Sequence, residues 1–341
     1  VDLLVSEVPR WFVLGAAFVF GSIWGSFFNV AIYRWPRELS VVRPASQCPG
    51  CGAPVAARYN VPIFGYLFLR GKTACCGAKL SPRYPMVEAL SGVMCLAIAQ
   101  RFIVEAEPDA ALWRAVAISL CYFAFVGGLI IATFVDLEHM QIPDEVSLPG
   151  AALGLASAAL RDPTRVADFA LGAGIGFLLV QVVFVWSYEL LFGRRGMGEG
   201  DSKLLLMIGA FLGYQGVLFA IFAGAMQGLI GFVVARFTGS GEAGAQPTAA
   251  EASAARAADV ESTAAGSQPR AADAKTADLA VNVQSAEPSN DREEDEAEDD
   301  EPDPEYWGHV KLPFGPFLAL GALEFLFFGD AAIDAWLRLI S

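Results

Sequence analysis

Gly196-Met197-Gly198-Glu199-Gly200-Asp201-Ser202-Lys203 decides how the rest of the chain reads. It sets a carboxylate at the lip of an apolar segment, behind glycines that let another backbone come close. An ionisable group beside a membrane is costly, which makes it a candidate functional site. Upstream, Val135-Asp136-Leu137-Glu138-His139 ends another apolar run in an acid. Two aspartates at one membrane face point to an aspartyl protease embedded in a bilayer.

The surroundings support that frame. The chain is 55% hydrophobic with a mean hydropathy of +0.47, too many long apolar runs for a soluble domain of its length. The fold class expected is an all-α polytopic membrane protein. Membrane helices are expected at Trp11–Tyr33, Met86–Ile103, Leu112–Val135, Val146–Leu160, Val166–Phe192, Lys203–Leu212, Gly216–Phe237 and Leu312–Leu339, eight in all. The N-terminus lacks a basic region followed by a small-residue cleavage site, so the first run reads as a retained helix.

Orientation follows from the basic residues. The loop from Arg34 to Pro85 carries Arg34, Arg37, Arg43, Arg58, Arg70, Lys72, Lys79 and Arg83 against one acid, Glu38. It is therefore expected on the cytoplasmic side. Counting crossings from there puts Asp136, Arg194, Arg195 and Asp201 at the same face. The domain plan is a first helix at 1–33, a cysteine-containing cytoplasmic domain at 34–85, a membrane core at 86–237, an acidic insert at 238–306 and a last helix at 307–341.

The net charge of −14 belongs to that insert alone. Between Glu242 and Glu305 there are 18 acidic and 4 basic residues, a difference of −14, and the remainder carries 19 of each sign. Acidity so localised argues against a nucleic-acid partner. The insert's Ala, Ser, Gly, Glu and Asp cannot bury enough apolar surface to fold, so it is expected to be a disordered spacer, or a docking segment for a basic partner.

A carboxylate pair hydrolyses a peptide when one member is ionised and the other protonated at the same pH. Two carboxylates sharing a site achieve this, because the first charge resists the second. Asp136 and Asp201 fit, and such a pair titrates as a unit, so base and acid are not assigned. Either residue alone also fits a plain structural role; Asp201 would serve as the N-cap of the helix that follows. Glu138, Asp144, Glu145 and Glu199 compete, and spacing does not separate them from the chosen pair. His139 and His309, at helix ends, read as interfacial groups. Pro143 and Pro149 are expected to break the chain after Asp136 and let a loop approach the pair.

Cys48-Pro49-Gly50-Cys51 and Cys75-Cys76 lie in the basic loop. Cytoplasmic thiols stay reduced, so these four point to a metal rather than a disulfide, and two close pairs suit tetrahedral zinc. Redox or incidental cysteines are the alternative. Cys95 and Cys121 lie inside apolar helices and are expected to pack there.

Together these segments resemble the type IV prepilin peptidases, membrane aspartyl proteases with a GxGD motif. Gly25-Ser26-Phe27-Phe28-Asn29-Val30 with Tyr33-Arg34 is similar to that family's first-helix signature. Asn60-Val61-Pro62, Arg70-Gly71-Lys72 and the run from Ser81 to Glu88 resemble its cytoplasmic loop and second-helix entry. The stretches Asp136 to Pro149 and Gly196 to Gly213 resemble its two aspartate motifs, and Pro313-Phe314-Gly315-Pro316 its last-helix start. The resemblance implies that Asp136 and Asp201 are the catalytic pair, with Asp144 a non-catalytic acid of the same motif. It implies cleavage of leaders from type IV prepilins and type II secretion pseudopilins at the inner-membrane cytoplasmic face. It also implies methylation of the new N-terminal amine with S-adenosyl-L-methionine, although no glycine-rich nucleotide motif marks a donor site. Thr73 stands where the family's second cysteine pair begins, which leaves Cys48, Cys51 and Cys76 as the ligands best supported and Cys75 as the fourth. A peptidase without methyl transfer and a non-catalytic membrane scaffold or transporter are the competing readings.

Overall fold

A computed structural model describes residues 3–48, 50–193, 198–238 and 313–340. Pro49, the Arg194 to Met197 stretch, His309 and the acidic insert beyond Thr238 lie outside the described residues. The helices up to Val233, together with the last helix, belong to one compact unit, Val1–Val233 with Leu312–Ser341.

Helices begin and end where the sequence chemistry directs. Helix α1 (Arg10–Arg34) follows Pro9, whose fixed φ suits a helix start, and ends where Trp35-Pro36 tightens the turn. Within the cysteine loop the only α-helix among the described residues is the short α2 (Phe64–Phe68). Helix α3 (Arg83–Ala99) continues through a π-helical turn, Gln100–Val104. Helix α4 (Leu112–His139) ends at Met140, which adopts a left-handed φ of 52°. Helices α5 (Asp144–Ala156) and α6 (Ala158–Arg161) follow, then α7 (Val166–Leu178). A π-helical stretch, Leu179–Trp186, joins α7 to α8 (Ser187–Phe192). Helix α9 (Glu199–Thr238) and α10 (Gly315–Ile340) complete the order. Among the described residues there is no β-strand, only isolated bridges.

Among the described residues five stretches are long and apolar enough to cross a bilayer: Arg10–Arg37, Arg83–Val104, Leu112–His139, Val166–Leu191 and Glu199–Val234. Even the shortest, at 22 residues, spans the roughly 30 Å of hydrocarbon at 1.5 Å per residue. The chain is thus an all-helical, multi-pass membrane protein. The expected count of eight divides differently. The run expected at Val146–Leu160 is α5 and α6, of 13 and 4 residues. Pro149 sits inside α5 without ending it, so of the two prolines expected to break the chain only Pro143 does so, at the α5 N-cap. The segments expected at Lys203–Leu212 and Gly216–Phe237 are two arms of α9, parted at Gly213, where φ 75° and ψ −177° suit only glycine. The described apolar part of the last helix is Gly315–Gly329.

Helix α4 forms the centre, with Phe125, Val126, Leu129, Ala132 and Val135 fully buried. It contacts α1, α3, α5 and α10. Helices α1 and α3 approach closely: a Cβ on Gly25 would stand 2.7 Å from the Glu88 Cα. Small residues allow this backbone contact where lipid gives no hydrophobic drive between helices.

Arg161, buried at the end of α6, secures the break in α9. Its guanidinium donates 2.7 Å hydrogen bonds to the carbonyls of Gly154, Ala210 and Phe211 and stands over the rings of Phe169 and Phe211. The last carbonyls of a helix have no partner within it, and a cation there also meets the negative end of the helix dipole. The arm of α9 that carries Asp201 is thus capped at its far end.

Candidate active site and metal centre

Asp136 occupies the last turn of α4 and is only 6% exposed. Its Oδ2 accepts a 2.9 Å hydrogen bond from the amide of Gly315, the first residue of α10. Beyond it the left-handed Met140 turns the chain, and Gln141 and Ile142 lead to Pro143 at the start of α5. Asp201 lies in the first turn of α9 and is 9% exposed. It is the third residue of that helix, not its N-cap; its amide donates to the Gly198 carbonyl at 3.2 Å. Both aspartates line one cavity of about 310 Å³ with Ile142, Asp144, Gly198 and Lys203.

The other acids differ from this pair in exposure or partners, although Asp144 and Glu199 line the same cavity. Both oxygens of Asp144 accept from Lys203 Nζ at 2.7 Å, and its side chain is 52% exposed. Glu138 pairs with Arg83. Glu145 and Glu199 are exposed. His139 points to Arg37, with Nε2 3.4 Å from Nη1, consistent with an interfacial role. Sequence reasoning missed the Gly315 amide and the Lys203–Asp144 pair. The Pro313 to Pro316 stretch had been singled out, yet nothing in it announces a hydrogen bond to a residue so far upstream.

In the cysteine loop, two hairpins repeat one geometry. The Cys48 amide donates to the Ala53 carbonyl and the Gly52 amide to the Cys48 carbonyl. The Thr73 and Gly77 amides repeat this with Ala78 and Thr73. Thr73 therefore holds the place of Cys48, and Cys75 supplies a sulfur from the position matching Gly50. All four Sγ atoms of Cys48, Cys51, Cys75 and Cys76 lie within 4.8 Å of one another. Cys48 and Cys76 are 3.6 Å apart, Cys51 and Cys75 3.4 Å. Thiolates about 2.3 Å from a tetrahedral ion stand roughly 3.8 Å apart, so the donor set fits a metal.

Their electrostatics agree. The Gly50 amide draws the Cys48 thiol down to about 6. The Thr73 hydroxyl, foremost, lowers Cys76. At Cys51 the Ala53 amide favours the thiolate, but the neighbouring thiols, Cys75 first, push it up to about 12. Four sulfurs this close cannot all ionise without a cation. Cys95 is buried and Cys121 partly buried within their helices.

Comparison with known proteins gives the family. Residues 19–102 match the bacterial peptidase A24 N-terminal domain, and residues 123–233, which hold both aspartates, match the type IV leader peptidase family. A prepilin leader peptidase/N-methyltransferase of Myxococcus xanthus is 34% identical over 95% of this chain and 93% of its own length. The chain belongs to the type IV leader peptidase family. Proteins of the same description from Aeromonas hydrophila and Klebsiella pneumoniae are 32% and 35% identical, over 66% and 63% of this chain and 83% and 92% of their own lengths. No solved structure matches the chain.

Proposed function

We propose that this chain cleaves the leaders of prepilins and pseudopilins with Asp136 and Asp201, and then N-methylates the new N-terminus. The observation that carries the peptidase reading is the meeting of two buried carboxylates from separate helices in one cavity. An ionised member takes a proton from water, which attacks the scissile carbonyl. The protonated member polarises that carbonyl and then gives its proton to the departing amine. The Gly315 amide orients Asp136 through Oδ2, leaving Oδ1 for this chemistry.

The basic residues of the 34–85 loop support a position for that loop and both aspartates at the cytoplasmic face of the inner membrane. Eight crossings, with the two arms of α9 counted separately, are consistent with that orientation. The loop's four cysteines hold zinc, which cross-links two hairpins too small to have a core of their own. The methyl donor is S-adenosyl-L-methionine, whose sulfonium supplies an activated methyl group. The insert at 238–306 interrupts no motif, and its deletion leaves both activities.

Co-expression with a prepilin tests the proposal. Wild type yields a shortened, methylated pilin by mass spectrometry; Asp136→Asn and Asp201→Asn reach the membrane but leave the precursor intact. Full cleavage by either variant overturns the pair, and a cleaved but unmethylated wild-type product overturns the second activity.

A further inference from the structure

Helix α2 presents an apolar face that no part of the described chain covers. Phe64, Leu67 and Phe68 are 60%, 61% and 85% exposed, and Val61 beside them is 46% exposed. In water such a cluster on so short a helix is costly.

Its attachment fixes its depth. The amide of Ile63 donates a 2.7 Å hydrogen bond to Oε2 of Glu88, the sixth residue of α3. The Ser26 hydroxyl of α1 faces the same carboxylate. A helical side chain leans toward the helix N-terminus, so the Glu88 carboxylate lies level with the first turn of α3. That turn holds Arg83 and Tyr84, residue types that anchor helices at headgroup level. Ile63 takes a left-handed φ of 63°, rare for a β-branched residue, and this bond holds it there. On the other side, Gly65 packs directly on the Tyr59 carbonyl. The residue that opens α2 is therefore tied to the first turns of α3, at headgroup level.

Charge agrees with depth. Arg58, Arg70 and Lys72 flank α2 and are exposed, and the 34–85 segment holds no acid except Glu38. Apolar side chains framed by cations match the boundary between acyl chains and anionic headgroups.

We propose that α2 is an interfacial anchor: Phe64, Leu67 and Phe68 enter the bilayer interface, with Arg58, Arg70 and Lys72 against anionic headgroups. The anchor pins the cysteine hairpins to the membrane surface. A polypeptide partner on this face is the competing occupant.

A nitroxide carried on p-acetylphenylalanine, which spares the native cysteines, replaces Phe64 or Phe68 in nanodiscs of equal phosphatidylcholine and phosphatidylglycerol. References are Phe222, exposed on a membrane helix, and Ala74, exposed in the second hairpin. Relaxation by oxygen relative to a water-soluble nickel complex is expected to be several-fold greater at 64 and 68 than at 74, approaching the value at 222. Values equal to those at 74 overturn the proposal. So does a label that leaves water only when a prepilin is added, which assigns the face to a polypeptide. With the label at 64, Phe68→Asp is expected to shift the ratio toward that at 74; no shift overturns a shared insertion.

Discussion

The amide of Gly315 donates a 2.9 Å hydrogen bond to Oδ2 of Asp136, joining the first residue of α10 to the last turn of α4. A Cβ at position 315 would stand 2.7 Å from that oxygen, inside its contact distance. Gly315→Ala is therefore expected to displace the carboxylate while the helices still assemble. Misplacement of a reacting group by about 1 Å costs up to 10²-fold in rate. Initial rates of leader removal, measured beside thermal unfolding in detergent, check this. An unchanged rate would show that Asp136 needs no such support.

Asp144 and Asp136 lie in one motif but in different environments. Asp144 is half exposed and held by Lys203, a surface pair whose worth is about 0–1 kcal/mol. Asp144→Asn is expected to slow cleavage less than tenfold. Asp136→Asn removes a group from the reaction itself, a loss of about 10²–10⁴-fold. The reversed pair, Asp144→Lys with Lys203→Asp, is expected to recover more activity than either single change. The ratio of kcat/KM of each of these five variants to wild type is the measurement.

Those two acids also show what could be read from the chain before its folding was known. Apolar runs follow directly from residue type, so α1, α3 and α4 were legible, as were the two arms of α9 on either side of Gly213. The run from Val146 to Leu160 was not, because composition alone does not register that Ser157 and Asp162 end two short helices. Spacing left Asp136, Glu138 and Asp144 undivided and the resemblance alone chose among them; their differences in burial and partners depend on helices distant in sequence. The four cysteines were legible as a group, with Cys75 as the fourth, but the position from which Cys75 supplies its sulfur was hidden. It emerges only when the two hairpins are seen to share one hydrogen-bond pattern, with Thr73 in the position of Cys48.

Arg161 gives a prediction about stability. It is 8% exposed and serves the carbonyls of Gly154, Ala210 and Phe211. Arg161→Leu leaves these acceptors buried without a donor, at about 1–3 kcal/mol for each that stays unsatisfied. Thermal unfolding in detergent is expected to fall by several degrees or more. Arg161→Lys is expected to recover little, since an ammonium lacks the planar fork that reaches both arms of the contact. Unfolding at the wild-type temperature in both variants would show that water replaces the guanidinium.

The cysteine hairpins give the last prediction, on metal content. Purified protein is expected to carry about one zinc per chain. Cys75→Ala removes one of four donors and is expected to weaken retention against a chelator. Adding Thr73→Cys to that variant supplies a sulfur from the position equivalent to Cys48 and is expected to restore retention. Binding also carries a pH signature. Cys51, pushed up to about 12 by its neighbours, holds its proton near neutral pH without metal. Zinc takes thiolates, so loading the metal-free protein must release protons and binding must weaken as pH falls. Titration in weak buffer measures that release directly. Zinc uptake without proton release would place the metal on ligands other than these four.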